Sequence, residues 1–171
     1  MVCKIREWKV DDAEELSGLL NNKSILDNLR DGLPFPYTQD DAKIFIQSML
    51  NCDKNSVFAF AIEYSGKLVG SIGVFRQTNI HFRTAELGYY IGENFWNKGI
   101  ATSAISQVCD YVFINTDIIR IYAEPFVRNK ASCRVLEKCG FICEGTLIAN
   151  ALKNGVVEDM KIYAKVKERK L

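Results

Sequence analysis

The chain has 171 residues, 48% hydrophobic and 25% charged, with 22 basic residues against 21 acidic ones. That length builds one sizeable core, and a net charge of +1 leaves no basic face for nucleic acid. Apolar runs such as Val57–Ile62 are too short to span a bilayer, and Met1–Lys9 carries charges where a secretory leader needs an apolar stretch. These features predict a cytoplasmic domain over residues 1–171 with neither nucleic-acid nor membrane partners.

Val2–Glu7 alternates as a strand does, and Asp11 followed by Glu14 starts a helix with Ala13, Leu16, Leu19 and Leu20 on one face. Asn28–Tyr37, with Gly32, Pro34 and Pro36, breaks regular structure. Thr38 with Asp41 opens a second helix, its apolar face formed by Ala42, Phe45, Ile46, Met49 and Leu50. Val57–Tyr64 reads as a strand buried on both faces, and Ser65-Gly66 turns it into a second strand, Lys67–Phe75. Gln77–Arg83 is a polar loop, and Thr84–Gly92 is a third central strand.

Asn94–Gly99 forms a loop ahead of Ile100–Phe113, the strongest helix, whose stripe steps by four through Ala104/Ile105 and Val108/Cys109. Arg120–Glu124 is a strand closed by Pro125. Asn129 caps a helix over Lys130–Cys139, with Gly140 as its stop. Phe141–Leu152 and Val156–Val166 are strands joined by Asn154-Gly155, a strong hairpin signal. Strands mixed with helical crossovers in this order predict an α/β (α+β) fold, one mixed sheet with helices on both faces. The last strand is read as an exposed edge where a second copy can pair as a homodimer, opposed by Lys161, Lys165 and Lys167.

Six cysteines occur without a Cys-x-x-Cys pair, and His81 is the sole histidine. That predicts free, mostly buried thiols and no metal site. His81 sits in a polar loop without the partners a nucleophilic triad needs.

The segment Trp96-Asn97-Lys98-Gly99-Ile100-Ala101-Thr102 ends a turn and begins the long helix. Helix N-termini offer unpaired N–H groups and a positive dipole end; Gly99 allows close backbone approach, and Lys98 adds charge. The P-loop order Gly-Lys-Ser/Thr is absent, as is the Gly-x-Gly-x-x-Gly fingerprint. Taken alone, the loop is equally an anion site or a well-made turn with no ligand.

Its company decides between them. Glu86-Leu87-Gly88-Tyr89-Tyr90-Ile91 followed by Trp96–Thr102, then Asn129-Lys130-Ala131-Ser132 with Arg134–Lys138 and Gly140-Phe141, resembles the acetyl-CoA-binding motifs of GNAT superfamily N-acetyltransferases. More narrowly it resembles the RimJ/RimL-type branch, which acetylates N-termini of ribosomal proteins. Trp96 stands where the superfamily pattern has Gln or Arg, as in that branch. The resemblance implies a GNAT fold, acetyl-CoA as co-substrate and a primary amine as acceptor, either a peptide N-terminus or a small amine. A non-catalytic acyl-CoA-binding domain is the alternative from another class.

The same resemblance distributes the roles. The backbone of Asn97, Lys98, Gly99, Ile100, Ala101 and Thr102 would hold the pyrophosphate. The backbone of Tyr89, Tyr90 and Ile91 would meet the pantetheine and polarise the carbonyl, and Asn129 would contact a pantetheine amide. Ser132 would donate to the departing thiolate, and Arg134 and Lys138 would reach the adenosine phosphate. Glu86 matches the carboxylate that acts as general base in some members, with Glu124 and Glu144 as rivals. A salt-bridged strand carboxylate, a plain N-cap at Asn129 and a solvated helix face for Arg134 and Lys138 remain the structural alternatives.

Overall fold

The computed structural model describes residues 3–167. Val2, where the first strand was expected to start, and the outer ends of the expected 1–171 domain lie outside the described residues. The elements are β1 (Lys4–Arg6), α1 (Ala13–Leu20), α2 (Lys23–Leu26), α3 (Gln39–Leu50), β2 (Val57–Tyr64), β3 (Lys67–Arg76) and β4 (Thr84–Ile91). Then come α4 (Ile100–Asn115), β5 (Arg120–Ala123), α5 (Lys130–Lys138), β6 (Ile142–Lys153) and β7 (Val156–Val166). The strands form a seven-stranded sheet in the order β1-β2-β3-β4-β5-β7-β6. Its pairs are antiparallel except β4 with β5, so the sheet is mixed and mostly antiparallel as expected.

Each face of the sheet carries its own helices because each buries a separate apolar set. Ile105, Val108 and Cys109 of α4 and Leu136 of α5 pack with Ile72, Val74, Leu87 and Tyr163. Leu16 and Leu20 of α1, Ile25 of α2, and Ala42 and Ile46 of α3 pack with Ala61, Leu68 and Trp8 on the other face. Burying such a side chain contributes about 1.5–3 kcal/mol, so these stripes fix the helices to the sheet. The Thr38 box forms as expected: Asp41 N–H donates to Thr38 Oγ1 at 3.1 Å, and Thr38 N–H to Asp41 Oδ2 at 2.8 Å.

The structure corrects the sequence reading in several places. Asp12, not Asp11, closes the turn before α1, accepting from Lys9 N–H at 2.8 Å. A one-turn helix, α2, forms behind Asn22, whose Oδ1 accepts from Ser24 N–H at 2.8 Å. The strand buried on both faces is β3, which has an unbroken run of buried residues from Leu68 to Val74, whereas β2 is only partly covered. At the C-terminal end of the sheet the edge strand is β6, not β7, because β7 lies between β5 and β6. The thiols divide into buried Cys3, Cys109, Cys133 and Cys139, half-buried Cys52 and exposed Cys143. Among the described residues no helix is long and apolar enough to cross a membrane.

Candidate active site

The site is built around an opening in the sheet. β4 and β5 pair only at Thr84↔Arg120, Ala85↔Ile121 and Glu86↔Tyr122. Beyond Glu86, β4 stays on β3 as far as Gly70↔Ile91, while β5 runs out at Ala123 and meets Pro125, which has no N–H to continue a ladder. Backbone direction alternates along a strand, and the flanking bonds set its phase. Ile119 N–H donates to Arg83 O across the β5 side, while Gln77 N–H donates to Thr84 O and Gly92 N–H to Val69 O across the β3 side. Tyr89 and Ile91 therefore turn their N–H and C=O groups into the opening, and Gly88 and Tyr90 turn theirs to β3. Of the three expected backbone contacts, Tyr90's faces the wrong way; its ring instead packs against the α1–α3 cluster.

Trp96 has a definite place. Its indole Nε1–H donates to Ile91 O at 2.7 Å, satisfying one of the carbonyls the opening leaves unpaired.

The loop into α4 has the geometry an anion site needs. Asn97 and Gly99 both hold positive φ, 60° and 74°, which glycine adopts freely. Gly99 is the N-cap and has no side chain to cap with, so the first-turn amides of Ile100, Ala101 and Thr102 stay open to a ligand. A Cβ built at Gly99 meets nothing within 4 Å, so the approach is clear. Lys98 contributes little directly: its Nζ donates to Asn94 O at 3.0 Å and lies 5.2 Å over the Phe95 ring.

On the α4–α5 side, Ser132 sits in the first turn of α5. Asn129 caps that turn, accepting from Ser132 N–H at 3.1 Å. Ser132 Oγ lies 2.8 Å from the hydroxyl of Tyr89, a half-buried side chain that reaches from β4 to α5 beside the opening. Burial pushes the Tyr89 phenol up to about 12, against the hydrogen bond to Ser132, so it stays protonated at neutral pH. Arg134 and Lys138 are exposed on the outer surface of α5.

On the opposite face, Glu86 is half-buried at the last rung of the β4–β5 ladder. Burial raises its pKa; Arg30 opposes this and Glu124 reinforces it. Arg30 Nη2 donates to Glu86 Oε1 and stands 3.7 Å from Glu124 Oε2. Glu144, by contrast, is exposed and paired with Arg120 at 2.8 Å, whose hydrogen bond holds it below the usual carboxylate range. His81 lies exposed in a 3₁₀ turn, Asn79–His81.

An open ladder between two parallel strands, an uncapped helix start and hydroxyl and carboxylate on opposite faces suit transfer of an acyl group from a long diphosphate-bearing donor. The family described as acetyltransferase (GNAT) domain matches residues 3–142. The chain belongs to the GNAT acetyltransferases.

It is 32% identical over 165 residues to a probable N-acetyltransferase, YjcK, of Bacillus subtilis, covering 94% of this chain and 91% of the relative. A spermidine N(1)-acetyltransferase of Vibrio cholerae is 32% identical over 108 residues, 63% of this chain and 62% of that one. The microcin C7 self-immunity acetyltransferase MccE, solved with acetyl-CoA and AMP, superposes with a TM-score of 0.83 at 30% identity over 97% of this chain and 93% of its own. RimL, a ribosomal L7/L12 alpha-N-protein acetyltransferase solved with coenzyme A, shares the fold at a TM-score of 0.85 and 22% identity, covering 97% and 94%. This GNAT enzyme is an acyltransferase with acetyl-CoA as co-substrate and an amine as acceptor.

Three features of the site had no local signal in the sequence. Arg30 meets Glu86 from 56 residues away, Tyr89 meets Ser132 from 43 away, and Glu124 joins Glu86 only because β4 and β5 run parallel. Trp96, by contrast, was marked by its departure from the superfamily pattern.

Proposed function

We propose that this enzyme, acting as a single catalytic domain over residues 1–171, transfers acetyl from acetyl-CoA directly to the α-amine of a peptide or protein N-terminus. The observation that carries this reading is the opening beside Glu86, with a half-buried carboxylate on one face and the Ser132 hydroxyl on the other. In this reading the first-turn amides of α4 hold the diphosphate, and Tyr89 and Ile91 align the pantetheine and thioester in the gap. Asn129 caps α5 and offers its remaining amide hydrogens to the pantetheine, and Arg134 and Lys138 meet the adenosine phosphate from outside.

Chemistry then divides between the faces. Glu86 takes the proton of the attacking amine, which forms a bond to the thioester carbon. The N–H groups that face the gap stabilise the oxygen as it gains charge. As the carbon–sulfur bond breaks, Ser132 donates to the sulfur, supported by the N-terminal end of α5.

A single ammonium suits this reading better than a polycation, because three carboxylates on or beside the Arg30 segment already have cations of this chain. Asp31 pairs with Lys153 at 2.5 Å, Glu158 with Arg128 at 2.8 Å and Asp27 with Lys23 at 2.7 Å. A small or polyamine acceptor is the second reading, favoured by the Vibrio cholerae relative named a spermidine acetyltransferase. Thiol release from acetyl-CoA, measured with peptides starting in Ser or Ala, the same peptides with blocked N-termini, and spermidine, separates the two. Release with free but not blocked peptides is the expected result. Release with spermidine alone moves the acceptor to the second reading, and acetyl-CoA binding without release on any amine leaves only an acyl-CoA-binding role.

A further inference from the structure

The cation in front of Glu86 belongs to the protein itself. One nitrogen of Arg30, Nη2, donates to Glu86 Oε1 and lies 3.7 Å from Glu124 Oε2. Glu86 is the last residue of β4 that pairs with β5 and Glu124 follows directly on β5, so carboxylates from both lips of the opening converge on one guanidinium. Tyr122 faces the same cluster from β5 and is influenced by all three groups.

The Arg30 side chain is 67% exposed, yet residues on both sides of it in the chain are tied down. Before it, Arg128 donates to Asp27 O at 2.6 Å and to Asn28 Oδ1 at 2.7 Å, and Asn154 Nδ2–H donates to Asp27 Oδ1 at 2.9 Å. After it, Asp31 pairs with Lys153 at 2.5 Å. A held base with a free tip suits a group that must stay near the site and yet leave it.

Two half-buried carboxylates side by side repel unless a cation lies between them. A guanidinium fills that role without being consumed, since it stays protonated and has no basic lone pair with which to attack a thioester. An incoming ammonium offers the same charge at the same place. We propose that Glu86 and Glu124 together seat the acceptor's ammonium, and that Arg30 is a positioning residue that fills this seat until the acceptor displaces it. The inference rests on the reading of Glu86 as the base. It adds Glu124 to the acceptor site and makes affinity for a cationic amine a competition with the protein's own arginine.

The test is the acceptor's affinity in Arg30→Met, Arg30→Lys and Glu124→Gln. A Ser-starting peptide is titrated by calorimetry onto each protein holding CoA, and the acceptor's KM is measured at saturating acetyl-CoA. Arg30→Met removes the competing charge from an exposed side chain, so Kd and KM for the peptide fall about two- to fivefold, as for loss of an exposed ion pair. Arg30→Lys keeps a cation and restores the weaker affinity. Glu124→Gln weakens the peptide about tenfold in both readouts with a much smaller change in kcat. Weaker peptide binding in Arg30→Met, or unchanged binding in Glu124→Gln, overturns the proposal. If the unaltered enzyme releases no thiol with any amine, the proposed function fails, while the order of the calorimetric Kd values still judges the seat. Normal turnover with no such order removes the seat alone.

Discussion

The hydroxyls of Tyr89 on β4 and Ser132 on α5 meet at 2.8 Å beside the opening between β4 and β5. Either hydroxyl can donate in this pair; in the proposed mechanism the phenol, kept protonated by burial, donates to Ser132 Oγ so that Ser132 can direct its own proton toward the departing sulfur. Replacing Ser132 by Ala is expected to lower kcat about 100-fold, within the usual range for a positioned proton donor. Tyr89→Phe should cost about tenfold, and the double variant should be no slower than Ser132→Ala, because the two hydroxyls act as one unit. Pre-steady-state rates of the four proteins check this; additive losses would separate the two residues.

As the proposed base, Glu86 is expected to carry the pH dependence. Burial raises its pKa, with Arg30 lowering and Glu124 raising it further, so it titrates above the ordinary carboxylate range. A base acts only when deprotonated, so turnover is present above that raised pKa and is lost as pH falls through it. The kcat profile should show this acid limb, and Glu86→Gln should abolish it while lowering kcat about 10²- to 10⁴-fold. The KM for acetyl-CoA should change little. An intact acid limb in the Gln variant would assign the base elsewhere.

The start of α4 can be tested by setting stability against binding. Thr102 lies in the first turn, where a carboxylate is favourable by about 0.3–1 kcal/mol through the helix dipole. The same charge would repel a diphosphate on the neighbouring amides. Thr102→Glu is therefore expected to leave Tm unchanged or raised while increasing the KM for acetyl-CoA about tenfold, an effect that shrinks with added salt. A matched fall in Tm and affinity would point to a folding defect instead.

Leu136 ties α5, and with it Ser132, to the sheet. It is fully buried among α4 and β-strand side chains, and its carbonyl accepts from Phe141 N–H at 3.1 Å. Leu136→Ala should cost about 2–5 kcal/mol by denaturant unfolding. A loss under 1 kcal/mol would mean that the neighbours close over the gap.

Much of this protein is written in short-range pattern. The stepping of Ala104, Ile105, Val108 and Cys109, the Thr38–Asp41 box, the Asn129 cap and the Asn154-Gly155 turn each act within a few residues, and all form where the sequence places them. Gly99 also marked the helix start, since its positive φ is a local demand. Tertiary structure decided what these pieces face. Hairpin chemistry joins β6 to β7 but does not say which of them pairs with β5, and the edge at that end of the sheet fell to β6. Nor does any local rule bring Arg30 to Glu86 or Tyr89 to Ser132. Those pairs exist because packing on the two faces of one sheet brings α5 against Tyr89 on one side and the segment after α2 against Glu86 on the other.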